Sequence, residues 1–331
     1  MRIDSSAPTR IDLAGGTLDI WPLYLFHDNA QTLNAAISLR AHCSIRARQD
    51  ARVRLLSEDT GTETEAEGWE ALDASGTLPL IARLARYFHI SGADIVTRSE
   101  SPFGAGIAGS SALNVAVAGG MAAWTGREIA GEALLAIAMN VEAQVISVPT
   151  GAQDYRPAYY GGVSSVKLSI DGVRRVPLAL ELDALESRLV LAYTKASRNS
   201  GINNWDVMKR HIDGDAEVIA SFGRIRDIAV AMRDAMEHGD WPEVGRQLQL
   251  EWENRKRLAP GVTTPDIDRM IAAAAGAGAL GAKVCGAGGG GCLFCFADPA
   301  DVPAVRSALT ANGAQLLPFT LEAQGLRITR S

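Results

Sequence analysis

The sequence predicts an α+β protein of two domains, and three observations carry that expectation. The chain has 331 residues, more than a single hydrophobic core ordinarily organises. Strand-like and helix-like periodicities are interleaved without a repeating unit. Three glycine-rich turns each follow a short apolar segment: Gly15-Gly16, the 104–109 run, and Gly286-Ala287-Gly288-Gly289-Gly290-Gly291.

Composition narrows the class. A hydrophobic content of 47% with 21% charged residues is that of a globular chain. The net charge of −6 argues against a nucleic-acid-binding surface, which carries a basic excess. No apolar run has the length that spans a bilayer, and Met1-Arg2-Ile3-Asp4 lacks the apolar stretch of a signal peptide, so the expected location is the cytoplasm. Cys43, Cys285, Cys292 and Cys295 include no C-x-x-C pair of the metal-binding kind: the Cys292–Cys295 spacing falls in an apolar, Gly-rich segment that also holds Cys285, and the four read as small buried hydrophobes.

Taken in order, residues 7–14 alternate apolar and polar positions as a strand with one buried face, then break at Gly15-Gly16-Thr17-Leu18-Asp19. An apolar cluster at 21–25 follows. Residues 34–37, 41–48 and 53–57 read as short strands, and the acidic run 58–67 as a solvated loop. A helix is expected over 78–87, a strand over 92–98, and a helix over 113–124 that is too uncharged to face solvent. Residues 129–146 continue as an amphipathic helix ended by Val148-Pro149-Thr150-Gly151, with Ala152-Gln153-Asp154-Tyr155 in the loop beyond. Sheet resumes over 159–167. The domain boundary is placed near Ala184. Past it come a strand at 188–193, a polar loop at 195–204, helices at 216–237, 241–257 and 264–277, strands at 282–285, 292–297 and 315–319, and a short helix at 302–312.

The segment Pro102-Phe103-Gly104-Ala105-Gly106-Ile107-Ala108-Gly109-Ser110-Ser111-Ala112 is the one the chain is organised around. Glycines admit a close backbone approach, and a helix start offers unpaired N–H groups and the positive end of a dipole, which together suit phosphate. The competing reading is a turn whose serines merely cap the helix. The segment fits neither the Walker pattern nor the dinucleotide fingerprint. For the third glycine run the alternatives are close approach to a ligand and close packing of two backbone segments.

Arg10 with Ala7-Pro8, the 102–112 loop and Lys283-Val284-Cys285-Gly286-Ala287-Gly288-Gly289-Gly290-Gly291-Cys292 together resemble the three signature motifs of the GHMP small-molecule kinases, in the family's order and spacing. The resemblance implies a mixed N-terminal sheet with helices (1–184), a ferredoxin-like α+β C-terminal domain (185–331), and an active site in the cleft between them. It implies that Pro102, Gly104, Ala105, Gly106, Ile107, Ala108, Gly109, Ser110 and Ser111 wrap the phosphates of ATP. Ser110 and Glu142 then match the ligands of Mg2+, Asp154 the base that accepts the acceptor's proton, and Arg10 the cation against the transferring phosphoryl group.

Within the family, the turn from Ala14 to Asp19 is similar to that of the sugar 1-kinases acting on heptose 7-phosphate. Galactokinases carry an acidic residue and a histidine where this chain has Gly16 and Thr17; Asp19 alone is kept. Expected acceptor contacts are Thr17, Asp19, Arg198, Gly288 and Gly289, with Lys195, Lys209, Arg210 and Arg156 as further cations for an acceptor phosphate. Asn34 and residues 57–68 are candidates for the adenine pocket. The implied reaction is phosphorylation of a sugar or sugar-phosphate hydroxyl by a monomer or homodimer. The alternatives are a mevalonate-like alcohol kinase and a non-catalytic regulator that binds nucleotide or sugar.

Overall fold

A computed structural model describes residues 1–129, 131–196 and 202–331. In chain order its strands are β1 (Arg2–Ala14), β2 (Gln31–Ala47), β3 (Val53–Ser57), β4 (Thr62–Ala66), β5 (Ala93–Ser99), β6 (Val163–Ser169), β7 (Gly172–Pro177), β8 (Leu189–Tyr193), β9 (Ala279–Val284), β10 (Cys292–Ala297), β11 (Gln315–Leu316) and β12 (Arg327–Arg330). The helices are α1 (Pro79–Phe88), α2 (Gly109–Thr125), α3 (Gly131–Ile146), α4 (Tyr155–Tyr160), α5 (Leu182–Glu186), α6 (Ile202–Ile212), α7 (Ala216–His238), α8 (Trp241–Arg255), α9 (Pro265–Gly276) and α10 (Val302–Ala311).

The strands form two sheets. The first runs β12-β1-β2-β5-β3-β4, with β6 pairing the first half of β2 and β7 pairing β6. It is mixed, because β3 and β5 are parallel while the other pairs are antiparallel. The second sheet is antiparallel in the order β11-β8-β10-β9, the ferredoxin-like arrangement, with α6 to α9 in its first crossover and α10 in its second. The two share a core: Ile11 and Leu33 from the first sheet pack with Leu191 and Phe294 from the second and with Met232 and Leu248 from α7 and α8. Burying that apolar surface once, between sheets, is what holds the walls of the cleft together.

Helix α2 crosses beneath the first sheet. Its Ala, Val and Gly residues are buried on nearly every side, as the lack of charge required. Gly119 and Gly120 sit where a β-carbon would strike Leu326 and Ser5, so small residues set how closely the helix approaches β1 and the C-terminal tail.

Several sequence expectations are corrected. Residues 34–37 and 41–48 are one 17-residue strand, β2, whose halves face different partners and so carry different patterns. The acidic run is not all loop: β4 lies within it as an outer strand, its glutamates exposed beside Arg54 and Arg48. The segment beginning at Tyr159 is first the end of helix α4 and becomes sheet only at Val163. The polar loop after β8 gives way to helix α6 at Ile202. Elements β7, α5 and β12 had no sequence signal. The last matters most: placed with the second domain by a division at 184/185, β12 instead pairs with β1 in the first sheet.

Candidate active site

A cleft of about 510 Å³ opens between the two sheets. Its walls are the turn after β1, the 101–111 loop with the start of α2, the end of α3, the 148–155 loop, and the first residues of the third glycine run.

The features of the 102–112 loop that suit phosphate lie in its backbone. Gly104 and Gly106 take left-handed φ values of 67° and 75°, open to glycine at no steric cost. Ala108, also left-handed, precedes the first turn of α2, and no side chain caps that turn. The capping reading of the two serines is therefore wrong. Ser110 Oγ donates to Glu142 Oε1 at 2.6 Å and Ser111 Oγ to Glu142 Oε2 at 3.0 Å. The helix N–H groups and their dipole are left facing the cleft, where an anion is stabilised.

Glu142 reaches this point because α3 packs against α2, and Tyr155 from α4 donates a third hydroxyl to its Oε2 at 2.6 Å. Burial raises the carboxyl above its usual range despite these donors. One carboxylate and one hydroxyl of Ser110, which remains exposed to the cleft, make a hard oxygen pair. That set suits Mg2+, which takes its remaining ligands from water and phosphate. Among the described residues no group of three His, Cys, Asp or Glu is disposed to hold a metal.

Arg10 and Asp154 meet across the cleft floor. Arg10 Nη2 and Nε donate to Asp154 Oδ1 at 2.6 and 3.0 Å, and Nη1 donates to the carbonyl of Gly106 at 2.9 Å. The cation is thus tied both to the candidate base and to the phosphate loop. Burial works against its charge, but Asp154 and Asp12 outweigh burial and hold it protonated. Asp154 stands at the start of α4 yet makes no capping bond; its carboxylate is about a quarter exposed and spent on Arg10.

Asp19, expected to contact the acceptor, lines the cleft beside the 148–155 loop. Residue 20 bridges to Gly151, which brings the Asp19 carboxylate against the loop so that Gln153 N–H donates to Oδ2 at 2.9 Å. A β-carbon at Gly151 would collide with that carboxylate, which explains the glycine. Burial and then the neighbouring Asp154 push the Asp19 carboxyl up to about 6. Thr17 and Gln153 complete this polar corner, with the Gln153 side-chain oxygen buried and without a protein partner.

Other expected contacts lie elsewhere. Gly288 and Gly289 do not line the cleft; they press against residues 261 and 262, and Gly289 N–H donates to the carbonyl of Val262 at 2.8 Å. Gly291 packs on Gly104 and Ala105, and Cys292 N–H donates to the carbonyl of Ala105 at 2.6 Å. Beyond Gly286 and Ala287, the third run is thus a backbone-packing device. Arg156 is buried on Glu132, Arg210 pairs with Asp215, and neither they nor Lys195 and Lys209 line the cleft. Arg198 lies outside the described residues. Asn34 is buried within β2, whereas Ser57, Asp59 and Thr60 do reach the cleft.

Sequence reasoning missed a buried set of charges behind the floor. Asp12 Oδ2 pairs with Lys283 Nζ at 3.1 Å, Lys283 with Glu251 Oε1 at 3.4 Å, and Glu251 Oε1 with Arg255 Nη2 at 3.0 Å. Arg255 in turn donates to Thr17 Oγ1 and to the carbonyls of Gly16 and Gly286, so every one of its N–H donors is engaged. Lys283 stands in the third glycine motif and Asp12 two positions after Arg10 on the same strand. Arg255 lies four positions after Glu251, a helical ion-pair spacing, but nothing in the sequence shows that the pair is buried.

Comparison with known proteins places this site in a family. Residues 77–162 match the family described as GHMP kinases N terminal domain, and residues 232–315 that described as GHMP kinases C terminal. The chain belongs to the GHMP kinases and is an ATP-dependent phosphotransferase. It is 28% identical to the D-glycero-alpha-D-manno-heptose 7-phosphate kinase of Campylobacter jejuni, over 99% of both chains, and 25% identical to the mevalonate kinase of Thermococcus sibiricus, over 99% of this chain and 98% of the relative. Among solved structures, a D-glycero-D-manno-heptose 1-phosphate kinase from Bacteriodes thetaiotaomicron superposes with a TM-score of 0.80 at 25% identity, covering 99% of each chain. The galactokinase of Lactococcus lactis shares the fold, with a TM-score of 0.77 at 19% identity over 98% of this chain and 95% of that one. Among the described residues no helix is long and apolar enough to cross a membrane.

Proposed function

We propose that this chain transfers the γ-phosphoryl group of ATP to a hydroxyl of a sugar, with the anomeric hydroxyl of a heptose 7-phosphate as the leading acceptor. The observation that carries the kinase chemistry is the Arg10–Asp154 pair bonded to the phosphate loop through Gly106. Asp154 accepts the proton of the attacking hydroxyl, and Arg10 lies against the transferring group, whose charge is spread over its outer oxygens. The 104–111 backbone and the open end of α2 hold the phosphates. Ser110 and Glu142 would hold Mg2+, which neutralises phosphate charge when bound.

The sugar reading is supported by the polar acceptor corner of Thr17, Asp19 and Gln153, which suits a polyol better than an apolar alcohol, and by the similarity to the two heptose phosphate kinases. We place the division of labour at 184/185, with the ATP loop, metal ligands and base before it and the third glycine motif after it. Coupled ADP-release assays over hexoses, heptoses, their phosphates (heptose 7-phosphate among them) and mevalonate test the proposal. A preference for a heptose 7-phosphate with a sugar 1-phosphate as product supports it; a preference for mevalonate overturns it.

A further inference from the structure

The six charged groups of the floor alternate in sign along one chain of contacts, Asp154, Arg10, Asp12, Lys283, Glu251 and Arg255. The four in the middle are almost wholly removed from solvent, and the chain passes from β1 through β9 to α8. Its two ends do different things. At one, Arg10 holds the candidate base; at the other, Arg255 holds Gly16 and Thr17 of the acceptor turn. Asp12 is the junction. Its Oδ1 accepts the N–H of Gly286 at 2.9 Å and lies 3.5 Å from Arg10 Nη1, while its Oδ2 faces Lys283. The Gly286 peptide is gripped from both sides, its N–H by Asp12 and its carbonyl by Arg255.

We propose that Asp12 is a positioning residue for phosphoryl transfer, fixing Arg10 from behind and, through Lys283 and Glu251, setting its place relative to the acceptor turn held by Arg255. Asp12 has no access to substrate and acts through Arg10. A buried set of this kind adds little net stability over apolar packing, but removing one member strands a charge. Its contribution lies in geometry, because phosphoryl transfer depends on alignment of donor, acceptor and cation. The inference rests on the reading of Arg10 and Asp154 as the reacting pair.

The test compares Asp12→Asn, Lys283→Met and the double variant Asp12→Asn/Lys283→Met, with Asp154→Asn as control. The double variant leaves two balanced pairs, Arg10 with Asp154 and Glu251 with Arg255. Thermal denaturation is measured beside ADP release at saturating Mg-ATP, with D-glycero-D-manno-heptose 7-phosphate as acceptor and, separately, with water alone. The double variant is expected to melt closer to wild type than Lys283→Met does. Its kcat should stay roughly tenfold or more below wild type, with the KM for ATP changed by less than about threefold, the signature of lost alignment. Recovery of kcat in step with the melting temperature, or an Asp12→Asn enzyme as fast as wild type, overturns the proposal. An active Asp154→Asn enzyme would instead sink the reading of the pair beneath it, so the two failures are told apart.

Discussion

Arg10 and Asp154 are joined by two donors on one oxygen, Nε at 3.0 Å and Nη2 at 2.6 Å to Oδ1, although 144 positions separate them in sequence. Both Arg10 contacts fall on Oδ1, so under the proposed mechanism Asp154 Oδ2 is the oxygen that an incoming hydroxyl would meet. Asp154→Asn keeps the shape and removes the basicity. Turnover is expected to fall by on the order of 10²- to 10⁴-fold while ATP still binds, read by ADP release and by nucleotide titration calorimetry. Unchanged turnover would remove Asp154 from the chemistry.

Glu142 receives three hydroxyls, and its burial makes the charge expensive without a cation nearby. Glu142→Gln should raise the Mg2+ concentration needed for half-maximal rate by roughly 10- to 100-fold. The measurement is a Mg2+ titration at fixed ATP. An unaltered Mg2+ dependence would show that the metal is held elsewhere.

Asp19 gives a pH signature. Its carboxyl titrates at about 6 in the folded protein against an ordinary 3.8, so the native state binds the extra proton. Stability is then fullest below the ordinary value and declines as pH rises through about 6, the penalty for the buried charge reaching about 3 kcal/mol above it. Asp19→Asn should therefore melt higher than wild type at pH 8 and at the same temperature near pH 3.5. In the same variant the acceptor KM should rise if, as proposed, Asp19 belongs to the acceptor corner. Equal melting at pH 8 would contradict the buried-charge account.

Gly291 takes a φ of 80°, and a β-carbon there would lie 2.6 Å from the carbonyl oxygen of Ala105. Gly291→Ala pushes directly on the phosphate loop and costs roughly 1–3 kcal/mol of stability. ATP affinity should weaken with it, whereas Gly239→Ala, at the open end of α7 with nothing near its β-carbon, should leave affinity alone. Equal ATP affinity in the Gly291 variant, measured by nucleotide titration, would show that the seam does not shape the loop.

Local chemistry made the meeting of the glycine loop, Ser110, Ser111 and Glu142 legible: glycines before an uncharged helix, two serines at its start, and a glutamate near the end of the next helix all lie within one stretch of chain. The floor was harder to read because its members come from distant elements. Lys283 looks in sequence like one cation beside a glycine run, and only the approach of β9 to β1 shows it buried on Asp12. Gly288 and Gly289 are ambiguous for a related reason, since glycine serves backbone packing and ligand approach alike, and only the neighbour at 261–262 shows the packing. Strand β12 has no sequence signal because its four residues, two of them arginines, are all exposed; it is held by ladder hydrogen bonds to β1, which leave no apolar period behind.

The position of β12 bears on how the molecule is made. During synthesis β1 emerges first and finds β2 soon after, but its other edge has no partner until more than three hundred further residues have left the ribosome. For that interval the nascent first sheet offers an unpaired edge to any other strand, its own or a neighbour's. Ser5 and Asp4 on β1, facing Ile328 and Thr329 when the ladder closes, keep that waiting edge partly polar. Expression of the first half alone leaves the edge open for good, and such a fragment is expected to form larger aggregates than the whole chain does in size-exclusion chromatography.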